Sequence, residues 1–448
     1  MADSTPAAIP TRLEDLFGFS IDCTSGRTHS VEIEGASVRR GALDDLVPWA
    51  RRTGRNLSIC VVSDRVTRAL CGERVEKLLG KDGHRVSTCL LPDGAGGRPH
   101  ADEPTLAVVE ASLSGADLAV AVGAGTVNDL CKLASDRRGI SYLVAGTAPS
   151  MNGYTSAIAA VMLGGVKRTV ACHQPQAVIA DLDILLDAPA ELVAAGLGDL
   201  ESKPTATADY RLAGLVRDAY YCPAPEGVVM EAEARVAEAA EGLRSRDPQA
   251  MELLCEALLL SGISMKLAGT SSPASGGEHL ISHYWDMTAP AEGRVEGWHG
   301  AQVGVATIMT AGLYERLRHL RPDDIDVDAL AAAYPAREEV EARIRAEHGE
   351  LASEVIGEFF QKWLAADDHR RELERIRDDW DHIWSSLAGV LRPADEVRAV
   401  LAAAGAPTTV EELGLRADHL ERALRLGREI RGRYTVLDFA ASLGRLTL

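Results

Sequence analysis

Short apolar runs alternate with amphipathic stretches between residues 57 and 181. The run LSICVVSD ends at Asp64, and RVSTCLL, DLAVAVG, SYLVAG and AVIAD follow at intervals that mostly leave room for a helix. Continuous apolar runs bounded by turn residues are typical of strands that are buried on both faces. This alternation predicts β-α-β units and a mainly parallel sheet.

The pattern changes twice beyond SYLVAG. Gly164 and Gly165 interrupt VMLGGVKRTV, which predicts a hairpin or a bent strand. After about Ala188 the strand patterns stop, and apolar residues recur at helical spacing to the carboxyl terminus. We therefore predict an α/β domain over residues 1–185, with about the first 25 residues disordered, and a helical domain over residues 186–448.

Composition narrows the functional classes. The 448 residues are 46% hydrophobic, which is ample for two domains, and the 4% aromatic content argues against an all-β fold. The formal charge of -19 argues against a nucleic-acid-binding or anionic membrane-binding surface, because phosphate backbones require clustered Lys and Arg. A small phosphorylated substrate would need positive charge only locally.

Cysteine usage and hydropathy suggest a compartment. The eight cysteines are scattered without CxxC pairs, so neither a disulfide framework nor a thiolate zinc site is expected. No apolar run reaches membrane-spanning length, and Met1 to Pro10 lacks the features of a signal peptide. We expect a reduced, cytoplasmic protein with no membrane or nucleic-acid partner.

A glycine-bearing segment marks a candidate nucleotide site. Gly123, Gly125, Asn128 and Asp129 lie where a strand gives way to a helix, so backbone N–H groups and the helix dipole could receive a pyrophosphate. The spacing differs from G-x-G-x-x-G, and a tight β-α turn explains it equally well. Asp64, at the end of the first strong strand, could bind a ribose hydroxyl or simply cap a helix.

A histidine cluster points to a metal. In GGEHLISHYWDM, His279 and His283 are four residues apart and share a helix face, and His299 follows a short loop later. A single histidine is more often a core or surface residue, but clustering favours ligation. Asp199, in GLGD, offers a carboxylate. Two imidazoles and a carboxylate would leave a coordination position open for a substrate oxygen, as in a catalytic site.

Two further side chains have alternative interpretations. Lys203 follows Asp199 by four residues, so on a helix both would face the same site. Lys203 could bind an anionic group or stabilise an alkoxide, or it could form an i,i+4 salt bridge with Asp199. His283 could relay a proton or cap its helix.

Together, these segments resemble a known family. The motifs GAGTVNDLCKLAS, TAPSMNGYTS, GGVKRTV, GLGDLESK, GGEHLISHYWDM, WHGAQVGVAT and RGRYTVLDF are similar, in order, to those of the sn-glycerol-1-phosphate dehydrogenases. These enzymes belong with the iron-containing alcohol dehydrogenases, glycerol dehydrogenases and dehydroquinate synthases. The resemblance implies a dinucleotide-binding α/β domain, a helical metal-binding domain and a homo-oligomer with a dimer as its unit.

The resemblance also implies the chemistry. It assigns the metal to Asp199, His279 and His299, with zinc as the usual ion and nickel or iron as alternatives. It implies reduction of dihydroxyacetone phosphate by NADH or NADPH, with Lys203 and neighbouring backbone donors holding the phosphate and a proton arriving through water or His283. It places the following residues along the nicotinamide cofactor: Gly123, Gly125, Thr126, Asp129, Thr147 and Ser150.

One residue departs from the family pattern. Glycerol-phosphate members typically read S-M-D-G-Y, whereas this chain has Asn152 in SMNGY. An amide keeps the shape of a carboxylate but adds donors and removes a charge, so substrate recognition or the proton relay could differ. Three alternatives therefore stay open: a dehydrogenase acting on another phosphorylated carbonyl, a sugar-phosphate cyclase or lyase, and a relative without turnover. The cyclases' glycine-lysine-threonine segment is missing, which disfavours the second.

Overall fold

The computed structural model describes residues 9–23 and 26–446. Contacts within the chain define two compact units. Unit 1 comprises residues 1–200, 223–271 and 403–406, and unit 2 comprises residues 201–222, 272–402 and 407–448. The sequence pattern places a domain boundary near residue 185, inside unit 1, and that boundary stays a prediction. Most of the leader, Met1 to Pro10, lies outside the described residues.

Unit 1 is built on a parallel sheet of six strands in the order β3-β10-β7-β6-β4-β5, which confirms the predicted parallel sheet. Separate antiparallel pairs are formed by β1 with β2 and by β8 with β9. The strands are β1 Ser20–Asp22, β2 Thr28–Ser30, β3 Gly35–Arg39, β4 Ser58–Ser63, β5 Arg85–Leu90, β6 Leu118–Gly123, β7 Ser141–Gly146, β8 Ile158–Leu163, β9 Val166–Ala171 and β10 Ala177–Asp181.

Alternating side chains of the sheet fill two cores. Cys60 and Val62 of β4 face one core, whereas Ile59 and Val61 face the other, as the two-residue period of a strand requires. The first core also takes up buried side chains from 223–271, among them Ile263. This packing explains why that helical segment belongs to unit 1 although it follows the sheet by many residues.

The predicted hairpin between residues 158 and 171 is confirmed. β8 and β9 pair in antiparallel register, and the turn is made by Gly164 and Gly165 with φ of 60° and 75°. Glycine reaches this left-handed region without the steric penalty of a Cβ, so the GG pair fixes where the chain reverses.

The other longer elements of both units are helices, and none of the described residues after Asp181 lies in a strand, as predicted. No helix among the described residues is long and apolar enough to cross a membrane. The helices are α1 Leu46–Thr53, α2 Arg65–Thr67, α3 Glu73–Lys81, α4 Glu103–Ser112, α5 Gly125–Arg138, α6 Leu182–Leu185, α7 Ala190–Glu201, α8 Lys203–Arg217, α9 Ala224–Glu238, α10 Ala240–Arg244, α11 Pro248–Ala268, α12 Gly277–Thr288, α13 His299–Arg318, α14 Val327–Ala332, α15 Arg337–His348, α16 Ala352–Phe359, α17 Ala366–Asp378, α18 Trp380–Leu387, α19 Ala394–Ala403, α20 Ala417–Leu426 and α21 Val436–Ser442.

Candidate functional site

The turn from β6 into α5 has the geometry of an anion-binding helix start. A Cβ on Gly123 would lie 2.6 Å from the Cβ of Val127, so glycine permits the strand to enter the helix this tightly. Gly125 and Thr126 begin a helix of 14 residues and are partly exposed. The first-turn amides of such a helix lack intrahelical acceptors and can bind a phosphate oxygen.

The neighbouring strand end contributes Thr147 and Ser150. Gly123 and Gly146 pair at the carboxyl ends of β6 and β7, and the Thr147 N–H donates to the Gly123 carbonyl at 3.2 Å. Thr147 and Ser150 are both buried. The structure therefore brings four of the predicted cofactor residues, Gly123, Gly125, Thr126 and Thr147, to one edge of the sheet.

The two predicted acidic cofactor residues form protein contacts. Asp64 caps α2: its carboxylate accepts the Thr67 N–H at 2.7 Å, which is the capping alternative considered for it. Asp129 accepts the Ala160 N–H at 3.1 Å and lies 3.8 Å from Lys132 Nζ. Burial raises the pKa of Asp129, against the lowering effect of Lys132. Asp129 thus ties α5 to β8, and its contact with a cofactor stays a prediction.

Asn152 and Asp199 meet within unit 1. Asp199 is fully buried on α7, and Asn152 lies in the loop between β7 and β8. The backbone N–H of Asn152 donates to Asp199 Oδ2 at 2.9 Å, and its side-chain amide donates to Oδ1 at 3.2 Å. The residue that departs from the family pattern therefore contacts a predicted metal ligand directly.

The three predicted site histidines come together in unit 2. His279 and His283 share one face of α12, and His299 begins α13. The ring centroids are separated by 6.1 Å for His279 and His283, 5.2 Å for His279 and His299, and 5.4 Å for His283 and His299. Three imidazoles this close provide a concentration of nitrogen donors that suits a divalent transition metal.

A buried carboxylate orients the first of these rings. Glu278 Oε1 lies 2.8 Å from His279 Nδ1 and also accepts the Gly276 N–H at 2.6 Å. Burial acts to raise the pKa of Glu278, but hydrogen bonding to His279 and to backbone N–H groups outweighs it and holds the pKa below its usual value. A carboxylate on Nδ1 is the usual second partner of a metal-bound histidine, since it presents Nε2 to the ion.

A second buried carboxylate, Asp209 of α8, lies close enough to Glu278 for the two charges to interact. Asp209 accepts hydrogen bonds from the Gly277 N–H, the Val436 N–H and the Tyr314 hydroxyl at 2.5 to 2.6 Å. Burial, followed by the nearby charge of Glu278, raises its pKa to about 7. Asp209 thus joins three helices, α12, α13 and α21, around the histidine cluster.

Two cations of this region contact the backbone ahead of α12: Lys203 is fully buried and Arg433 is partly buried. Lys203 begins α8 and donates to the Ala274 carbonyl at 3.0 Å and to the Ser202 hydroxyl at 3.1 Å. Arg433 donates to the Ser275 carbonyl, and burial lowers its pKa to about 10 despite the opposing charges of Glu278 and Asp209. Both side chains hold the segment that leads into α12.

Comparison with known proteins identifies the family. The model for iron-containing alcohol dehydrogenases matches residues 37–189. Glycerol-1-phosphate dehydrogenase [NAD(P)+] of Halalkalibacterium halodurans is 36% identical over 296 residues, which are 66% of this chain and 74% of that protein. The enzyme of the same name from Geobacillus stearothermophilus is 30% identical over 96% of this chain and 98% of its own length. The chain belongs to the glycerol-1-phosphate dehydrogenase family.

Solved structures show the fold of this glycerol-1-phosphate dehydrogenase family member more broadly. Glycerol dehydrogenase from Schizosaccharomyces pombe matches with a TM-score of 0.59 at 15% identity, over 93% of this chain and 91% of that one. A putative alcohol dehydrogenase from Ralstonia eutropha JMP134 matches with a TM-score of 0.56 at 17% identity, over 94% and 97% of the two chains. The similarity over nearly the full length confirms the predicted fold class.

Sequence reasoning did not assign the supporting residues of this family member. Glu278 stands directly before His279 in the quoted motif, and that adjacency was the available signal. Asp209 gives no such signal, because it lies 68 residues before Gly277, whose N–H it accepts. Ser282, which contacts both His299 at 3.3 Å and Gln302 at 2.9 Å, was likewise not predicted.

Proposed function

We propose that the protein reduces dihydroxyacetone phosphate to sn-glycerol 1-phosphate at a divalent metal held by Asp199, His279 and His299. The protein is an NAD(P)-dependent dehydrogenase of the glycerol-1-phosphate dehydrogenase family. The observation that carries the two histidine ligands is the convergence of three imidazoles with a buried carboxylate on His279 Nδ1, and the assignment of Asp199 rests on the resemblance.

The donor set fits zinc better than a hard cation. Imidazole nitrogens and one carboxylate are ligands that zinc accepts, whereas magnesium and calcium prefer oxygen ligands alone. Asp199 would contribute a carboxylate oxygen. Because Glu278 contacts Nδ1 of His279, we assign Nε2 of that ring as the ligand atom. Zinc is therefore the proposed ion, with nickel and iron as alternatives.

The remaining assigned residues bind and orient the reactants. When bound, the metal would supply Lewis-acid polarisation of the ketone and the reduced nicotinamide would supply hydride. The first turn of α5, with Thr147 and Ser150, would hold the cofactor's phosphates. His283, with its ring 5.4 Å from that of His299, would hold the proton delivered to the product oxygen.

The resemblance and the observed contacts favour different roles for Lys203. The resemblance implies that Lys203 binds the phosphate of the substrate. Its hydrogen bonds to Ser202 and Ala274 support a structural role instead, in which it fixes the segment that precedes α12. Assembly as a homodimer and location in the cytoplasm are also proposals, the first from the resemblance and the second from the scattered cysteines.

The test is turnover with defined stereochemistry. The zinc-reconstituted protein should oxidise NADH or NADPH with dihydroxyacetone phosphate, and the product should resist an enzyme specific for sn-glycerol 3-phosphate. Unphosphorylated dihydroxyacetone should be a much poorer substrate, because it lacks the group that the proposal requires the site to bind. No turnover with any phosphorylated ketone, or a product of the opposite configuration, would contradict the proposal.

The variant His279→Ala tests the assignment of His279 as a metal ligand. Its folded structure should persist, whereas activity should fall by about 1000-fold or more because the metal loses an essential ligand. His348→Ala, which removes a histidine that is bound to Glu429 elsewhere in unit 2, is the control and should keep turnover. A fully active His279→Ala protein would refute the assignment of this ligand.

A further inference from the structure

The loop between β7 and β8 is held against α11 by a hydrogen bond and by close backbone contact. The Thr155 hydroxyl donates to the Leu259 carbonyl at 2.6 Å. A Cβ on Gly262 would lie 2.2 Å from Thr155 Oγ1 and 2.5 Å from the carbonyl oxygen of Asn152. The absence of a side chain at residue 262 thus allows the helix backbone to touch the loop that carries Asn152.

Two other helices of unit 1 hold the same loop. Lys132 of α5 is fully buried, and its ammonium donates to the carbonyls of Gly153 at 2.6 Å and Ile158 at 2.8 Å. On α7, a Cβ on Gly196 would lie 1.8 Å from the Pro149 carbonyl oxygen. A loop fixed by charge-assisted hydrogen bonds and by backbone contact places its side chains reproducibly.

This loop delivers two donors to one carboxylate. The Asn152 backbone N–H binds Oδ2 of Asp199 and the side-chain amide binds Oδ1, so each oxygen receives a hydrogen bond. The amide also lies 3.3 Å from the Ser261 hydroxyl of α11. Asp199 is fully buried, where an ionised carboxylate requires donors, and two donors on different oxygens fix the rotation of the carboxylate plane.

The contact favours an amide over a carboxylate at residue 152. A carboxylate in the same place would set two acceptors against each other at the 3.2 Å that separates Nδ2 from Oδ1. Like charges at this distance raise the pKa of one partner or separate the side chains. The donor that distinguishes asparagine from aspartate is therefore the atom that makes the interaction.

We infer that Asn152 is a positioning residue, whose amide holds the Asp199 carboxylate in the orientation from which it binds the metal. The inference rests on the proposed role of Asp199 as a ligand. It assigns Asn152 to metal affinity rather than to direct contact with the substrate. Partners that orient metal ligands typically change metal affinity by about 10- to 100-fold when they are removed.

The experiment measures zinc affinity without substrate or nucleotide, by competition with a chromogenic chelator. Asn152→Ala and Asn152→Leu, the latter close to asparagine in size, should both weaken zinc binding by about 10-fold or more, because neither side chain donates. Thr155→Val is the matched control: it removes the loop's bond to Leu259, keeps the shape, and should lower thermal stability while weakening zinc binding by less than either Asn152 variant, because Lys132 and Gly196 still hold the loop.

The outcomes separate this inference from the proposed function. Wild-type zinc affinity in Asn152→Leu, or an equal loss in Thr155→Val, would overturn the positioning role. Asp199→Ala tests the ligand assignment itself. If Asp199→Ala loses zinc while both Asn152 variants keep it, only the positioning inference fails. If Asp199→Ala binds zinc like the wild type, the proposed metal site is wrong and the inference falls with it.

Discussion

At the scale of single residues, Glu278 and Asp209 are two buried carboxylates whose pKa values are shifted in opposite directions. Hydrogen bonds, chiefly that with His279, keep the pKa of Glu278 low, whereas burial and the charge of Glu278 raise the pKa of Asp209 to about 7. Negative charge is therefore concentrated on the carboxylate that touches the imidazole. A charged acceptor at Nδ1 fixes the histidine tautomer and increases the basicity of Nε2.

His369, in α17, makes stability depend on pH. Its ring is buried and stacks on Tyr334 with centroids 3.8 Å apart. Burial, with the nearby charges of Arg217 and Arg428, lowers its pKa from 6.5 to about 4. Between pH 6.5 and pH 4 the histidine of the unfolded chain binds a proton, whereas that of the folded chain does not. The free energy of unfolding therefore decreases as pH falls through this range. The loss should be about 3 kcal/mol over that range.

The measurement is the free energy of unfolding of His369→Phe and wild type from pH 7 to pH 4. Phenylalanine keeps a ring for stacking and cannot be protonated, so the variant's stability should fall less steeply with acid. The exposed His382→Gln serves as control and should follow the wild type. Parallel curves for His369→Phe and wild type would contradict the assignment.

Residue-level chemistry was predictable where it depended on near neighbours in the chain. The i,i+4 spacing of His279 and His283 correctly placed both on one helix face. The contact of Asn152 with Asp199 could not be derived, because it requires a loop and a helix separated by 47 positions to meet. Local spacing carries no information on such pairs.

At the scale of elements, close packing of α7 is a testable consequence of Gly196. The Cβ of an alanine there would overlap the Pro149 carbonyl, which is backbone and has little freedom to move. Gly196→Ala should lower the free energy of unfolding by about 3 kcal/mol or more, the scale of severe overpacking.

Gly80→Ala provides the comparison. Gly80 is an exposed helical glycine in α3 whose Cβ would meet no atom within 4 Å. Alanine there should stabilise the protein by up to about 1 kcal/mol through helix propensity. Denaturant midpoints of the two variants should therefore move in opposite directions, and equal shifts would show that the α7 contact is looser than described.

The sequence pattern located elements better than it assigned them to a core. Strands β4, β6, β7 and β10 were predictable because each is a nearly continuous apolar run, and β5, RVSTCL, was predicted although it contains Arg85, Ser87 and Thr88. β3, GASVR, was missed because it is short and its only apolar side chains are Ala36 and Val38. The helical pattern of α11 was recognised, but an apolar stripe does not specify which neighbour it packs on, and α11 contributes to the core of unit 1.

At the scale of the whole molecule, a chain with a net charge of -19 must bind two anions, the cofactor and the substrate. Long-range repulsion opposes both, so attraction has to come from local groups. The start of α5 provides aligned N–H groups, and the proposed metal would provide a divalent charge beside the histidines. Metal occupancy should then affect both stability and binding of the anionic substrate.

Removal of the metal should destabilise the protein through mass action. An ion that binds only the folded chain stabilises it by about 2.7 kcal/mol at a free concentration 100 times its Kd, which corresponds to roughly 5 °C in the unfolding midpoint. Chelation of the zinc-loaded wild type should reverse this increase, and zinc should restore it.

Glu278→Gln should show a smaller zinc-induced increase in the unfolding midpoint at the same zinc concentration, because an amide orients His279 less strongly than a carboxylate. Since His279→Ala lacks the ligand, its midpoint should not respond to zinc or chelator. A zinc response in His279→Ala equal to that of the wild type would place the metal elsewhere in the protein.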